Sequence, residues 1–289
     1  MATCTLNTQE PYMTLRTLER RARAMPTSDG AGVRLNRVIG TPNLRNLDPF
    51  LMLDEFKSDS ADDYIAGFPS HPHRGFETVT YMLAGRMEHR DHLDNVGLLQ
   101  SGGAQWMTAG RGIIHSEMPQ QEEGLMWGFQ LWINLPAAEK MCPARYQDLL
   151  PEDIREVTDD QGILRRVIAG DSLGTTGPVS GIGVDPLMVD IRMPADSSLT
   201  HPVKAGHRAF VYVYRGHIQL GDGTLGTGEL GVLRDGDAVA LRAQEDSALM
   251  LLAARPIGEP IVQYGPFVMN SEEEIEQALR DYRDNRLTA

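Results

Sequence analysis

The chain has 289 residues, 41% of them hydrophobic and 23% charged, with a formal net charge of -13 at pH 7. That length and apolar content provide core for one large domain or two modest ones and exclude disorder as the default. The acidic balance argues against nucleic acid or an anionic membrane as a direct partner, since both require clustered Lys and Arg.

In chain order, the N-terminal segment lacks the apolar stretch and small-residue cleavage site of a secretory signal, so a cytoplasmic location is expected. Cys4 and Cys142 are far apart and form no C-x-x-C pair, which predicts free thiols rather than a disulfide framework or a thiolate metal site. The basic run 16–23, followed by Pro26 and Ser28-Asp29-Gly30, reads as a strand leading to a turn. Beyond it the texture is short apolar or alternating runs closed by Gly, Pro, Asn and Asp, the pattern of an all-β sandwich or barrel. Strands are expected over 33–39, 77–83, 125–135, 187–193, 209–214 and 248–253, with turns at Ala84-Gly85, Arg215-Gly216 and Asp235-Gly236-Asp237. The longest apolar run, 248–254, is far too short to span a bilayer, and no membrane partner is expected. The C-terminal stretch is the exception to the β pattern. Ser271 stands three residues before Glu274 as a capping box, and Ile275, Ala278, Leu279 and Tyr282 fall on one helical stripe.

An apolar strand ending in a glycine turn occurs at 78–85 and again at 210–216, which suggests two β domains of similar plan. The stretch 136–178, with Pro143 and Pro151, reads as a connector and entry to the second domain. The division expected is therefore 1–138 and 139–289.

Chemistry concentrates in the first half. His71-Pro72-His73 and His115-Ser116-Glu117 each place two metal-capable side chains at i and i+2, and in a strand such residues share a face. Three imidazoles and one carboxylate could converge on one ion, a set suited to a transition metal rather than calcium or magnesium. Pro72 cannot donate a ladder hydrogen bond, which puts that segment at a strand start or sheet edge. Gly110-Arg111-Gly112 makes a tight turn before the second pair, and Ile114 and Ser116 take the face opposite His115 and Glu117. Glu77, four residues after His73, competes with Glu117 as the fourth ligand or supports a ligand from behind. His89 and His92, among charged neighbours, read as part of a solvated loop. In the second half, His201 and His207 are six apart and no His-x-Glu follows, so only the first domain is expected to hold a metal. Trp106, Met107, Met118, Trp127 and Phe129 suit either an apolar lining for a flat ligand or ordinary barrel core.

Longer blocks carry a resemblance. The run Asp48-Pro49-Phe50-Leu51-Met52-Leu53-Asp54-Glu55-Phe56, the run His71-Pro72-His73-Arg74-Gly75-Phe76-Glu77-Thr78-Val79 and the run Gln105-Trp106-Met107-Thr108-Ala109-Gly110-Arg111-Gly112-Ile113 resemble the pirin family of the cupin superfamily. So do Gln130-Leu131-Trp132-Ile133-Asn134-Leu135 and Gly265-Pro266-Phe267-Val268-Met269-Asn270, giving coverage from about residue 16 to residue 283. The resemblance implies an all-β bicupin: two jelly-roll (double-stranded β-helix) barrels with a C-terminal helix, 1–138 holding the metal and 139–289 without one. It further implies His71, His73, His115 and Glu117 as ligands, which demotes Glu77 to a supporting role. The implied cofactor is one divalent transition metal, foremost Fe(II), with Mn, Co, Ni, Cu or Zn as alternatives.

Two functions of different class follow from the family. One is a quercetin 2,3-dioxygenase, which opens a flavonol with O2 and releases CO; Glu117 would then also accept the proton of the flavonol 3-hydroxyl. The other is a metal- or redox-sensing regulatory module that docks a protein partner.

Overall fold

The computed structural model describes residues 13–289, so Cys4 falls outside the described residues. The six expected strands are present as Val33–Ile39, Phe76–Ala84, Met126–Asn134, Leu187–Met193, Arg208–Arg215 and Ser247–Ala254. The basic run forms the strand Leu18–Arg23, and Met25–Asp29 follows it to the turn at Gly30. Among the described residues, no helix is long and apolar enough to cross a membrane.

Four antiparallel sheets build two barrels of one plan. In the first, a seven-stranded sheet runs in the order Arg145–Leu149, Ala104–Thr108, Phe76–Ala84, Met126–Asn134, Phe50–Ser58, Val33–Ile39, Met25–Asp29. It faces a four-stranded sheet ordered Phe68–His73, Ile113–Pro119, Arg86–Asp91, Val96–Gln100. The second barrel repeats this place by place. Its seven-stranded sheet runs Leu18–Arg23, Glu229–Leu233, Arg208–Arg215, Ser247–Ala254, Leu187–Met193, Leu164–Ala169, Arg155–Thr158, and its four-stranded sheet Ser198–Pro202, Ala238–Ala243, His217–Leu220, Gly223–Gly226. The weak echo between 78–85 and 210–216 thus marks two strands that hold the same place in their sheets.

The division at residue 138 does not coincide with a boundary between sheets. Arg145–Leu149 returns to pair with Ala104–Thr108 in the first barrel, and Leu18–Arg23 pairs with Glu229–Leu233 in the second. Each barrel takes its first-place strand from beyond that cut. The stretch 136–178 is correspondingly more than a connector, since it contains Arg145–Leu149, Arg155–Thr158 and Leu164–Ala169. Its prolines and acidic residues concealed these strands, of which Arg155–Thr158 is largely exposed and Arg145–Leu149 partly so.

The two seven-stranded sheets pack face to face, which buries both of their faces and explains the nearly continuous apolar strands. Along Arg208–Arg215, Phe210, Tyr212 and Tyr214 enter the core between barrels, while Ala209, Val211 and Val213 fill the second barrel's interior. Ser247–Ala254 is buried at every position for the same reason. In the first barrel the alternation sends Trp127, Phe129, Leu131 and Ile133 between the barrels, leaving Gln130 and Trp132 for the barrel interior. Phe50 and Phe210 meet edge to face across this core with centroids 5.0 Å apart.

The C-terminal helix Glu272–Arg283 begins at Ser271, and both bonds of the expected capping box are made. Ile275 and Ala278 are buried, whereas Leu279 and Tyr282 stay largely exposed. Ile275 and Ala278 join Phe267 and Met269 in one apolar cluster, and Tyr282 meets the Phe267 ring edge to face with centroids 6.2 Å apart.

Candidate metal centre

Phe68–His73 is the edge strand of the first barrel's small sheet, as Pro72 requires. Its neighbour Ile113–Pro119 pairs His115 with His71 and Ile113 with His73. Directly opposed residues share a face, so the three imidazoles are carried into one space. Among the described residues, His71, His73 and His115 form a group whose ligand atoms all lie within 4.8 Å of one another.

The nitrogens that meet are the Nε2 atoms. His71 Nδ1 is 2.8 Å from the Pro69 carbonyl, which takes its proton and leaves Nε2 as a lone pair 3.0 Å from His73 Nε2. Two imidazole nitrogens bound at right angles to one ion, with bonds of about 2.1 Å, stand about 3 Å apart. His115 Nε2 is buried and has no hydrogen-bond partner. An unpaired buried nitrogen is costly unless something binds it. Burial, reinforced by the neighbouring imidazoles, holds His73 and His115 well below the usual imidazole pKa, so both are neutral at pH 7 and free to act as donors. The donor set fits a transition metal.

Glu117 follows on the same face of the strand and is buried beside the triad, but its Oε1 accepts a hydrogen bond of 2.9 Å from Thr80. A hydroxyl has one proton to give. Thr80 Oγ1 also lies 2.6 Å from Gln130 Oε1, so its one proton is shared between two acceptors.

Glu77 lies on the other side of the sheet. The chain turns at Gly75, where φ is 91°, and the new strand restarts the alternation, so the count of four from His73 carries no parity. Glu77 stands opposite Thr108, accepts its hydroxyl at 2.6 Å, and shares a face with Val79 and Tyr81, which pack between the barrels. Burial raises its pKa.

His89 is not in a solvated loop. It belongs to Arg86–Asp91, is 1% exposed, and stands directly opposite Glu117, with its ring centroid 4.7 Å from that of His115. Met87 and His89 at i and i+2, separated by charged Glu88, carried the signal of a strand with one buried face. His92 follows the strand and is exposed.

A cavity of about 610 Å³ opens onto His71, His73 and Glu117. Its apolar wall comes from Leu35, Met52, Phe56, Phe68 and Trp132. Of the five residues considered for this lining, none contributes: Trp106, Trp127 and Phe129 pack between the barrels, Met107 is core, and Met118 lies outside the wall. Arg37 clasps buried Asp54 through bonds of 2.8 and 2.7 Å and reaches Asp29 at 2.8 Å, so the charges at this end are paired. The remaining side is closed by Gln263, Gly265 and Pro266, from the hairpin Val262–Tyr264/Phe267–Met269 that follows the second barrel.

The interior of the second barrel is filled by apolar side chains. Val239, Leu241 and Ala243 occupy the strand in the place of Ile113–Pro119 and join the apolar interior. His201 is buried with Nε2 2.8 Å from Ser172 Oγ and Nδ1 2.7 Å from the Pro202 carbonyl, and His207 lies apart beside Asp185.

Comparison with known proteins agrees with this architecture. Residues 32–133 match the model of the Pirin family and residues 188–288 that of the pirin C-terminal cupin domain. A Pseudomonas aeruginosa protein named as a candidate quercetin 2,3-dioxygenase is 53% identical over 270 residues, 91% of this chain and 94% of that protein. Human pirin is 41% identical over 264 residues, 89% of each chain. The crystal structure of a quercetin 2,3-dioxygenase from Acinetobacter baumannii superposes with a TM-score of 0.88 at 31% identity, covering 96% of this chain and 99% of that one. With two cupin barrels of matching plan and relatives of this identity along nearly its whole length, the chain belongs to the pirin family of the cupin superfamily.

Proposed function

We propose that this protein is a metal-dependent dioxygenase of the quercetinase type, acting on a flavonol and O2 with release of CO. The observation that carries the reading is the convergence of three imidazoles at the side of a cavity of about 610 Å³ walled by flat and apolar side chains. Similarity to proteins named for that activity supports it. His71, His73 and His115 would hold the ion, with Glu117 as the fourth ligand. Fe(II) is the foremost candidate, and Mn, Co, Ni, Cu or Zn suit the same donors. The bound ion supplies the Lewis-acid and redox chemistry that a flavonol anion needs to react with dioxygen.

The chain's own residues do the rest. Phe68 and Trp132 offer surfaces for a planar ring, and the paired charges of Arg37 and Asp54 leave no free cation to demand an anionic substrate. Thr80 holds Glu117 by one carboxylate oxygen, which keeps the group aimed along the cavity wall to accept the 3-hydroxyl proton. Burial of His73, His115 and Glu117 keeps bulk water from the reacting centre.

The test is reconstitution of the purified chain with Fe(II), Mn(II), Co(II), Ni(II) or Cu(II), followed by quercetin in air. Loss of flavonol absorbance with stoichiometric CO in the headspace is expected for at least one metal. No turnover with any of them would reject the dioxygenase reading and leave the metal-sensing, partner-docking module.

A further inference from the structure

Behind the three imidazoles, on the side away from the cavity, four side chains stand in series. His115 Nδ1 is 3.3 Å from His89 Nδ1, and His89 Nε2 is 3.0 Å from the Tyr146 hydroxyl. Burial, and after it the charge of nearby Asp91, raises the pKa of that hydroxyl. The Asp91 carboxylate is itself fixed by the backbone N–H of Leu93 at 2.8 Å and of Asn95 at 3.0 Å, and by the Asn95 side-chain amide at 2.8 Å. His89 and Tyr146 are otherwise unused by the site described above.

The proton positions in this series are not independent. If His115 Nε2 is a ligand, its one proton sits on Nδ1 and is donated to His89 Nδ1, which must then be a bare acceptor. His89 therefore carries its proton on Nε2 and gives it to the Tyr146 oxygen, which leaves the Tyr146 proton free to turn toward the neighbouring Asp91 carboxylate. Every donor finds an acceptor in one direction only, and the series ends on an anchored carboxylate. In the opposite sense, Nε2 of His115 would be a buried N–H with no partner.

Resting on the metal reading above, we propose that His89, Tyr146 and Asp91 are positioning residues. They form a directional hydrogen-bonded chain that fixes His115 as an Nε2 ligand and strengthens its donation to the metal. A ligand imidazole whose second nitrogen donates to a well-placed acceptor is both oriented and more basic, and loss of such a partner typically costs about 10–100-fold in metal affinity. Strand pairing supplies the placement: Glu117 opposite His89 and His115 opposite Asp91 put the chain directly behind the ligands. Tyr146 arrives from Arg145–Leu149, the strand that returns after the nominal first domain.

The experiment uses the full-length protein loaded with Co(II), whose visible spectrum reports ligand geometry, with affinity measured by chelator competition. His89→Phe keeps a ring but removes both bonds, and is expected to weaken Co(II) binding about 10–100-fold and shift the visible bands. His89→Asn restores an acceptor toward His115 and is expected to recover most of the affinity. Tyr146→Phe, which removes one oxygen, is expected to weaken binding several-fold with a smaller spectral change, and it serves if His89→Phe does not fold. Wild-type affinity and spectrum in folded His89→Phe, or in Tyr146→Phe together with His89→Asn, would overturn the chain while leaving the metal centre intact. A wild-type protein that binds no Co(II) would overturn both. Neither readout depends on quercetin turnover.

Discussion

His115 and Glu117 share one strand face, yet the first ends on an unpartnered nitrogen and the second on a threonine hydroxyl. The distinction sets how each should respond to removal. His73→Ala and Glu117→Ala are expected to lower bound metal several-fold, measured by elemental analysis after reconstitution, whereas Glu77→Gln should retain it. Equal loss in all three would place Glu77 among the ligands. That each of the two pairs shares a strand face was readable from i, i+2 spacing, because a strand repeats every two residues. The exclusion of Glu77 was not readable from spacing, since it depends on the restart of alternation after Gly75. His89 was hidden by its neighbours: Glu88 and Arg90 make an exposed ion pair on the outer face of the same strand whose inner face holds the imidazole.

At the level of elements, the site is closed by pieces that come late in the chain. Lys140 is buried with Nζ donating to the carbonyls of Gly75 and Val268 at 2.7 and 2.9 Å and to Asn134 Oδ1 at 2.6 Å. Burial lowers it to about 8, still above neutrality, so at pH 7 it is an ammonium with all three protons placed. Arg74, next to His73, bonds Asp281 at 2.7 Å and the Leu287 carbonyl at 3.0 Å. These ties clamp the hairpin and terminal helix against the His-Pro-His strand. Gly75 is the point of closest approach: a Cβ there would come within 2.0 Å of the Val268 carbonyl oxygen, at a φ of +91° that already disfavours L-residues. Gly75→Ala is expected to cost at least the roughly 1–2 kcal/mol of a left-handed backbone position, and more for the displaced hairpin. Thermal unfolding and metal content should fall together; a stable variant with full metal content would show that the hairpin yields without disturbing His73.

Across the whole molecule, polar side chains are embedded in the apolar core between the barrels. Glu55 accepts from Trp127 Nε1 at 2.8 Å and from Tyr212 at 2.5 Å across the interface, while Asp190 accepts from Tyr81 at 2.9 Å in the reverse direction. Burial raises the pKa of Glu55 despite those bonds. A raised folded pKa means that charging the group costs stability; the cost is absent below its unfolded pKa, grows as pH rises toward the folded pKa, and is constant above. Glu55→Gln is therefore expected to equal the wild type near pH 4 and to gain on it toward neutrality in denaturant titrations. Glu55→Ala, which leaves Trp127 and Tyr212 without an acceptor, should lose roughly 1–3 kcal/mol. A Gln advantage that shrinks as pH rises would contradict the sign. By itself the sequence determined the β character, the positions of the main strands, the capped helix, the two histidine segments and the family, because periodicity, turn chemistry and ordered motif blocks are local properties. Only the tertiary structure decided which face of each strand meets the cavity, which barrel receives the strands at 18–23 and 145–149, and that His89, Tyr146 and the late hairpin lie beside the imidazole cluster. Those outcomes depend on register and pairing between segments far apart in the chain, where a shift of one residue reverses every side chain.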